Sequence, residues 1–167
     1  MEEQSFLEKL DQHKGIITRV IHLYADDAED RKDLRQEIIY QSWKSYGAFR
    51  GDAKFSTWLY KISLNVSLTF ISKKRKKPGW SEPGQERFST HPPELSERAD
   101  RLYRAIRKLN DIDRGIIILH LDGYDNEEIS EMTGISKNNT GVKLHRIKQQ
   151  LTELLNQRKD GLAKWMG

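Results

Sequence analysis

All four prolines of this 167-residue chain fall between positions 78 and 93. Proline fixes φ and removes a backbone donor, so the stretch from Pro78-Gly79-Trp80 to His91-Pro92-Pro93 can neither continue a helix nor hold a central strand. Whatever the chain folds into is therefore cut in two: residues 78–96 are expected to join one unit over 1–77 to another over 97–167. On both sides the apolar residues recur every three or four positions, the period of a helix with one buried face. Phe6, Leu7 and Leu10, then Ile16, Ile17, Val20, Ile21 and Tyr24, then Leu34, Ile38, Trp43 and Tyr46 follow it. The run Ile116-Ile117-Ile118-Leu119 could be a strand by itself, but its flanks keep the helical period. The expected fold class is all-α: two small helical domains on a flexible linker, the second ending in a helix-turn-helix. Hydrophobic residues make up 36% and charged residues 32%. That is too polar for one large core, yet enough for small helical units that each need one apolar stripe per helix.

The charge is local. The formal net charge is only +4, but residues 73–77 read Lys-Lys-Arg-Lys-Lys. A second basic spot lies after residue 131: Lys137, Lys143, Arg146 and Lys148 occur with no acid between Glu131 and Glu153. Two basic spots on a near-neutral background suggest a polyanion touched at two places; a solvated charge run is the plainer alternative for either one. There is no cysteine, which excludes disulfides and cysteine-held metals. No apolar stretch approaches the roughly 20 residues of a membrane span. The acidic start, Met-Glu-Glu-Gln-Ser, does not resemble a signal peptide. A cytoplasmic protein without membrane insertion is expected.

In the first unit, Asp26-Asp27-Ala28-Glu29-Asp30 reads as a turn into a capped helix, acids favouring its N-terminus. Asp33, Gln36 and Glu37, at i, i+3 and i+4, share a face of that helix. Gly47 to Asp52 breaks the pattern, and Phe55-Ser56-Thr57 opens another helix with Trp58, Leu59, Ile62, Val66 and Phe70 as its apolar stripe. In the second unit, helices are expected near 97–109 and 111–121. A short helix over 126–132 follows, capped by Asp125 or Asn126. Thr133-Gly134-Ile135 supplies a tight turn, and Ser136 caps the last helix. That helix would expose Lys137, Asn138, Asn139, Lys143, His145 and Arg146, leaving Val142 and Leu144 for burial. Asn suits adenine edges and Lys or Arg suits guanine or phosphate, so this is the arrangement of a helix-turn-helix that reads DNA. Gly141 is out of place inside it, because glycine costs a helix roughly 1 kcal/mol relative to alanine. Close approach to the preceding helix or to DNA would explain it, and so would mere tolerance.

Three blocks stand in order: Asp33-Leu34-Arg35-Gln36-Glu37, then Phe49-Arg50-Gly51-Asp52-Ala53-Lys54-Phe55-Ser56-Thr57-Trp58-Leu59-Tyr60, then the terminal helix-turn-helix. In that order and spacing the chain resembles bacterial RNA polymerase sigma factors of the extracytoplasmic-function group, in the sigma-70 family. The resemblance spans roughly residues 5–75 and 97–155. Leu109-Asn110-Asp111 is similar to the family's Leu-Pro-Glu, with Asn110 in place of the proline. The resemblance implies two helical domains, regions two and four. Asp33, Gln36 and Glu37 would dock on core RNA polymerase, with Trp43 supporting their helix. Loop 49–55, with Arg50, Asp52 and Lys54, would hold a flipped base of the minus-ten element. Trp58, Lys61 and Asn65 would lie beside that strand, and Lys73, Lys74, Arg75, Lys76 and Lys77 on duplex phosphates. Lys137, Asn138, Asn139, Lys143, His145 and Arg146 would read the minus-thirty-five element. The implied partners are core polymerase and promoter DNA, and the family commonly has an anti-sigma factor as well. No cofactor or metal is implied. The recognition helix departs from the family's usual Gly-Thr-Val-Lys-Ser-Arg-like run, so its promoter sequence is not inherited.

The physical logic also holds without the family. Opening a duplex needs a pocket for an unstacked base and a positive track for its strand; aromatics beside a Lys-rich helix offer both. A stand-alone helix-turn-helix regulator is the competing reading, and it would bind specifically without polymerase. A peripheral membrane protein using residues 73–77 would need a neighbouring amphipathic or lipid anchor, and the linker offers neither. The five histidines (13, 22, 91, 120 and 145) are dispersed and no Gly-rich phosphate loop occurs, so an enzyme is not expected.

Overall fold

The computed structural model describes residues 1–80 and 97–166, with side chains to residue 157. The expected linker, 78–96, lies outside the described residues apart from its first three. The chain divides into two compact units between Thr90 and His91. Among the described residues all regular structure is helical.

The first unit holds α1 (Glu2–Gln12), α2 (Lys14–Tyr24), α3 (Ala28–Tyr46) and α4 (Phe55–Arg75). Asp27 caps α3 by accepting from the Asp30 amide (2.7 Å), as its acidic turn requires. The helix α4 packs on both α2 and α3, and its buried side differs from the expected stripe. Leu59 is fully buried as expected, but with Tyr60, Ser63, Leu64, Ser67 and Ile71; Trp58, Ile62, Val66 and Phe70 are only half-buried. A helix wedged between two others puts small residues at the closest approach. Ser63 and Ser67 fill that place, and bulkier side chains move to the flanks. Ser63 satisfies its hydroxyl by donating to the Leu59 carbonyl (2.7 Å). Apolar periodicity does not register serine, so the stripe came out about one residue off.

The second unit holds α5 (Glu97–Arg107), α6 (Asp111–Leu121), α7 (Asn126–Thr133) and α8 (Lys137–Met166). Asn110 accepts from the Asp113 amide (2.9 Å) and caps α6. Ile116 to Leu119 are all buried, because α6 touches α5, α7 and α8. The continuous apolar run is thus a surrounded helix rather than a strand. Two arginines are buried here. Arg114 donates its Nε to the Leu109 carbonyl (2.9 Å). Arg107 is lowered to about 10 by burial and by the nearby Arg114 charge.

The helix α7 begins with a reciprocal cap: Asp125 accepts from the Glu128 amide (2.8 Å), and Glu128 accepts from the Asp125 amide (3.2 Å). It ends at Gly134, whose φ of +78° suits glycine. Ser136 then caps α8 through the Asn139 amide (3.2 Å). Thr140, Leu144, Ile147 and Leu151 form the buried side of α8. Val142, expected to be buried, is 44% exposed: it falls opposite this stripe at 100° per residue. Nothing inside the unit requires Gly141. An added Cβ would meet only the Asn126 amide nitrogen, at an ordinary 3.6 Å. Gly141→Ala should therefore raise the stability of this unit by about 1 kcal/mol. Its thermal midpoint by circular dichroism should rise by about 4–8 °C; no rise would mean the glycine is needed in the free protein.

Candidate nucleic-acid interface

The acidic and amide residues of α3 stand on a ridge between two grooves. Asp33, Gln36 and Glu37 are all exposed. Asp33 and Glu37 border a groove against α4, of about 510 Å³, with Gln41, Asn65, Thr69 and Lys73. Gln36 borders the other groove, against α1, with Leu7, Ile39, Tyr40 and Trp43. The single face read from the sequence is therefore two-sided. Trp43 lies at the edge of the packing rather than within it. It is 43% exposed, and its ring leans on Phe6 at 5.3 Å as a wall of the apolar groove.

Loop 49–55 is pinned at both ends by rings. Phe49 lies 5.0 Å from Trp58 and 6.0 Å from Phe55, and Tyr46 lies 6.1 Å from Trp58. The Lys9 ammonium sits over Tyr46, Phe49 and Phe55 at 5.7–6.0 Å, a cation–π contact from α1. Between the anchors, Arg50, Asp52 and Lys54 are exposed, and Gly51 takes φ +80°. Trp58 is half-buried in this cluster, so packing accounts for part of its place and one side remains available. Lys61 and Asn65, at i+3 and i+7 from it, continue an exposed line along α4. Five aromatics between positions 43 and 58 were the sequence signal for this cluster, which apolar period alone does not separate from core.

The basic run is not uniform. Lys74 forms a 2.8 Å ion pair with Asp30 at the start of α3. That hydrogen bond, and then the charges of Asp30, Asp27 and Asp33, raise its pKa above the ordinary lysine value. Arg75 lies 5.3 Å from the Trp80 ring. Lys73 lines the α3–α4 groove, and Lys77 lines a third pocket with Asp26, Asp27, Glu29 and Asp30. Lys76 is exposed. The sequence gives no hint that an acid 44 positions earlier engages Lys74, since that contact depends on how α3 and α4 pair.

In the second unit, Lys137, Asn138, Asn139, His145 and Arg146 are exposed as expected. Lys143 is half-buried, and its ammonium lies 3.9 Å from Asp113 of α6, near enough for a charge attraction but too long for a hydrogen bond. Lys137 reaches Glu127 of α7 at 4.0 Å. Asn138, Val142 and His145 share one line along α8, with Asn139 and Arg146 beside it. Among the described residues no three His, Asp or Glu groups converge as metal ligands, and no helix is long and apolar enough to cross a membrane.

Two family models match the chain, one over each unit. Residues 10–77 match sigma-70 region 2, and residues 99–151 match sigma-70 region 4. The ECF RNA polymerase sigma factor SigW of Bacillus subtilis is 25% identical over 92% of this chain and 90% of its own length. The chain belongs to the sigma-70 family. Within it, the full-length similarity to SigW places the chain in the extracytoplasmic-function group, whose members direct RNA polymerase to promoters. The RNA polymerase sigma-H factor of Pseudomonas aeruginosa is 36% identical, but over 40% of this chain and 34% of that protein. In fold, the chain is similar to the sigma factor RpoE of Bartonella quintana, solved with the anti-sigma factor NepR. The TM-score is 0.76 at 19% identity, covering 92% of this chain and 98% of that one. A free helix-turn-helix regulator would not explain the region 2 match, so the sigma reading replaces it.

The Asp30–Lys74 pair of this sigma factor should tie the end of α4 to the start of α3. A pair that keeps about a quarter of each side chain in solvent is worth about 1 kcal/mol. Asp30→Asn should therefore speed amide exchange at residues 73–77 by up to about fivefold, read by hydrogen–deuterium exchange. Unchanged exchange would show that the pair holds nothing.

Proposed function

We propose that the two units divide the work of this sigma factor. Residues 1–77 bind core polymerase and open the minus-ten element, residues 97–167 read the minus-thirty-five element, and 78–96 join them. The observation that carries this is the aromatic-anchored loop 49–55, with half-buried Trp58 at its edge and exposed Lys61 and Asn65 continuing from it along α4. A ring-lined, cation-bearing recess is what an unstacked base and its strand require. Arg50, Asp52 and Lys54 would contact the flipped base or its phosphate. Lys73, Arg75, Lys76 and Lys77 would meet duplex phosphates, with Lys74 available once its pair with Asp30 is exchanged for phosphate.

On the polymerase side, Asp33 and Glu37 offer charge and Gln36 with Trp43 offers an apolar edge, so the docking partner would straddle the α3 ridge. Exposed Leu7, Tyr40 and Trp43 beside it would also suit an anti-sigma factor, a kind of partner that the Bartonella protein has in NepR. In the second unit, Asn138 and Asn139 would read bases near the start of α8, and Arg146 would clamp phosphate. Lys143, half-buried beside Asp113, would contribute less to DNA binding than the exposed Arg146. Such a protein acts in the cytoplasm, where polymerase is, and has no catalytic step of its own.

Run-off transcription with core polymerase on genomic promoter fragments tests the reading as a whole. Transcripts should start at defined sites only when this protein is present. Two variants separate the roles. Glu37→Lys should lower affinity for core polymerase by roughly tenfold in co-elution while leaving helicity unchanged. Normal co-elution would remove the assignment. Phe49→Ala should cost the first unit roughly 2 kcal/mol, since the ring is half-buried. Its holoenzyme should still form closed complexes, but permanganate reactivity of promoter thymines should fall. Full reactivity would show that the anchored loop is not the strand-capturing element.

A further inference from the structure

The failed expectation at Val142 carries a further assignment. The inward side of α8 is Thr140, Leu144, Ile147 and Leu151. The outward side presents Asn138, Asn139, His145, Arg146 and Gln149, all polar and exposed. Val142 sits in the middle of that side, four residues after Asn138 and three before His145, with 44% of its surface exposed. A single exposed apolar residue needs no explanation on an ordinary surface. Here it has two costs: a β-branched side chain lowers helix propensity relative to a lysine or glutamine, and exposed isopropyl surface remains in water. Burial in the unit's own core offsets neither, because that core is on the other side of the helix.

We propose that Val142 is a specificity-determining residue of α8 and packs against the C5-methyl group of a thymine in the upstream promoter element. This rests on α8 being the promoter-reading helix of the second unit. In the major groove, thymine presents a methyl group where the other bases present only donors and acceptors. An isopropyl group forms no hydrogen bond, so methyl contact is the readout open to it. Its stiff χ1 presents the two methyls with little rotamer freedom to lose. The hydrogen-bonding side chains around it, Asn138 and Asn139 before and His145 and Arg146 after, would read or position the flanking bases and phosphates.

The test uses the full-length protein as holoenzyme and a promoter fragment that it transcribes in run-off assays. Each upstream thymine is replaced singly by deoxyuridine, which keeps the base pair and removes only the methyl. Burial of one methyl-sized group corresponds to roughly fourfold in affinity. The expected result is a roughly fourfold loss at one thymine for the wild-type holoenzyme. Val142→Ser holoenzyme should bind the thymine and deoxyuridine forms equally, while the other upstream positions keep their preferences. No sensitive thymine, or sensitivity that persists in Val142→Ser, would overturn the assignment. A fragment with the whole upstream element scrambled separates the two levels. If scrambling weakens binding but no deoxyuridine does, only the Val142 assignment is lost. If scrambling changes nothing, α8 is not the reader and the assignment falls with it.

Discussion

Six rings at one end of the first unit set the position of everything proposed to act there. Phe6, Trp43, Tyr46, Phe49, Phe55 and Trp58 contact one another at centroid distances of 5.0–6.4 Å, mostly tilted or edge-on. Such pairs add about 0.5–1.5 kcal/mol each beyond the area they bury. The loop between α3 and α4 needs that support. Fixing its backbone costs about 1–2 kcal/mol per residue, and Gly51 makes it less constrained than most. With Phe49 and Phe55 both tied into the cluster, only the residues between them must be ordered by their own contacts. Phe6 and Lys9 bring α1 into the same cluster. The apolar groove between α1 and α3 is therefore a consequence of how the loop is anchored.

The other end of the same helix pair is held by charge. Tyr46 meets Phe55 at one end and Asp30 meets Lys74 at the other, so α3 and α4 run antiparallel. Acids gather at the start of α3 and cations at the end of α4, as the helix dipole favours in each. Antiparallel pairing then brings the two charge groups face to face. The same arrangement that steadies the hairpin grades the basic run: Lys74 is engaged, Lys73 and Lys77 look onto acids, and Lys76 is open. A phosphate reaching this run displaces an internal partner at Lys74 but not at Lys76. The five cations are therefore unequal in the binding energy that they can supply.

What the sequence made legible follows from range. Helix boundaries depend on residues a turn apart, and they came out closely: α6 starts at Asp111, α7 is capped by Asp125, and α8 follows Ser136. Motifs built on one helix were also legible, which is why Asn138, Asn139, His145 and Arg146 are exposed as expected. Facing contacts were not. The side of α4 that is buried depends on two neighbouring helices, and serine at a close crossing leaves no apolar signal. Lys143 carries the right charge for DNA, but that Asp113, thirty positions earlier, lies beside it depends on how α6 and α8 pack. Asp33, Gln36 and Glu37 do share a helical face, yet the packing of α1 and α4 on either side makes that face a ridge.

The second unit shows how a core can determine what a surface reads. Successive residues of α8 turn by 100°, so rotating the helix by one residue would carry Leu144 out of the core and bring another side chain into it. Four buried anchors, Thr140, Leu144, Ile147 and Leu151, oppose that rotation, and burying each aliphatic one is worth about 1.5–3 kcal/mol. The Lys143–Asp113 contact, on the flank, opposes it as well. Asn138, Val142 and His145 are thereby presented together on the side away from the core. If α8 is the promoter reader, as proposed, substitutions on that outward line would change the promoter that is read while leaving the fold intact. Substitutions at Thr140 or Leu144 would change both. This separation explains how a chain can keep the family's architecture around a last helix whose outward residues are its own.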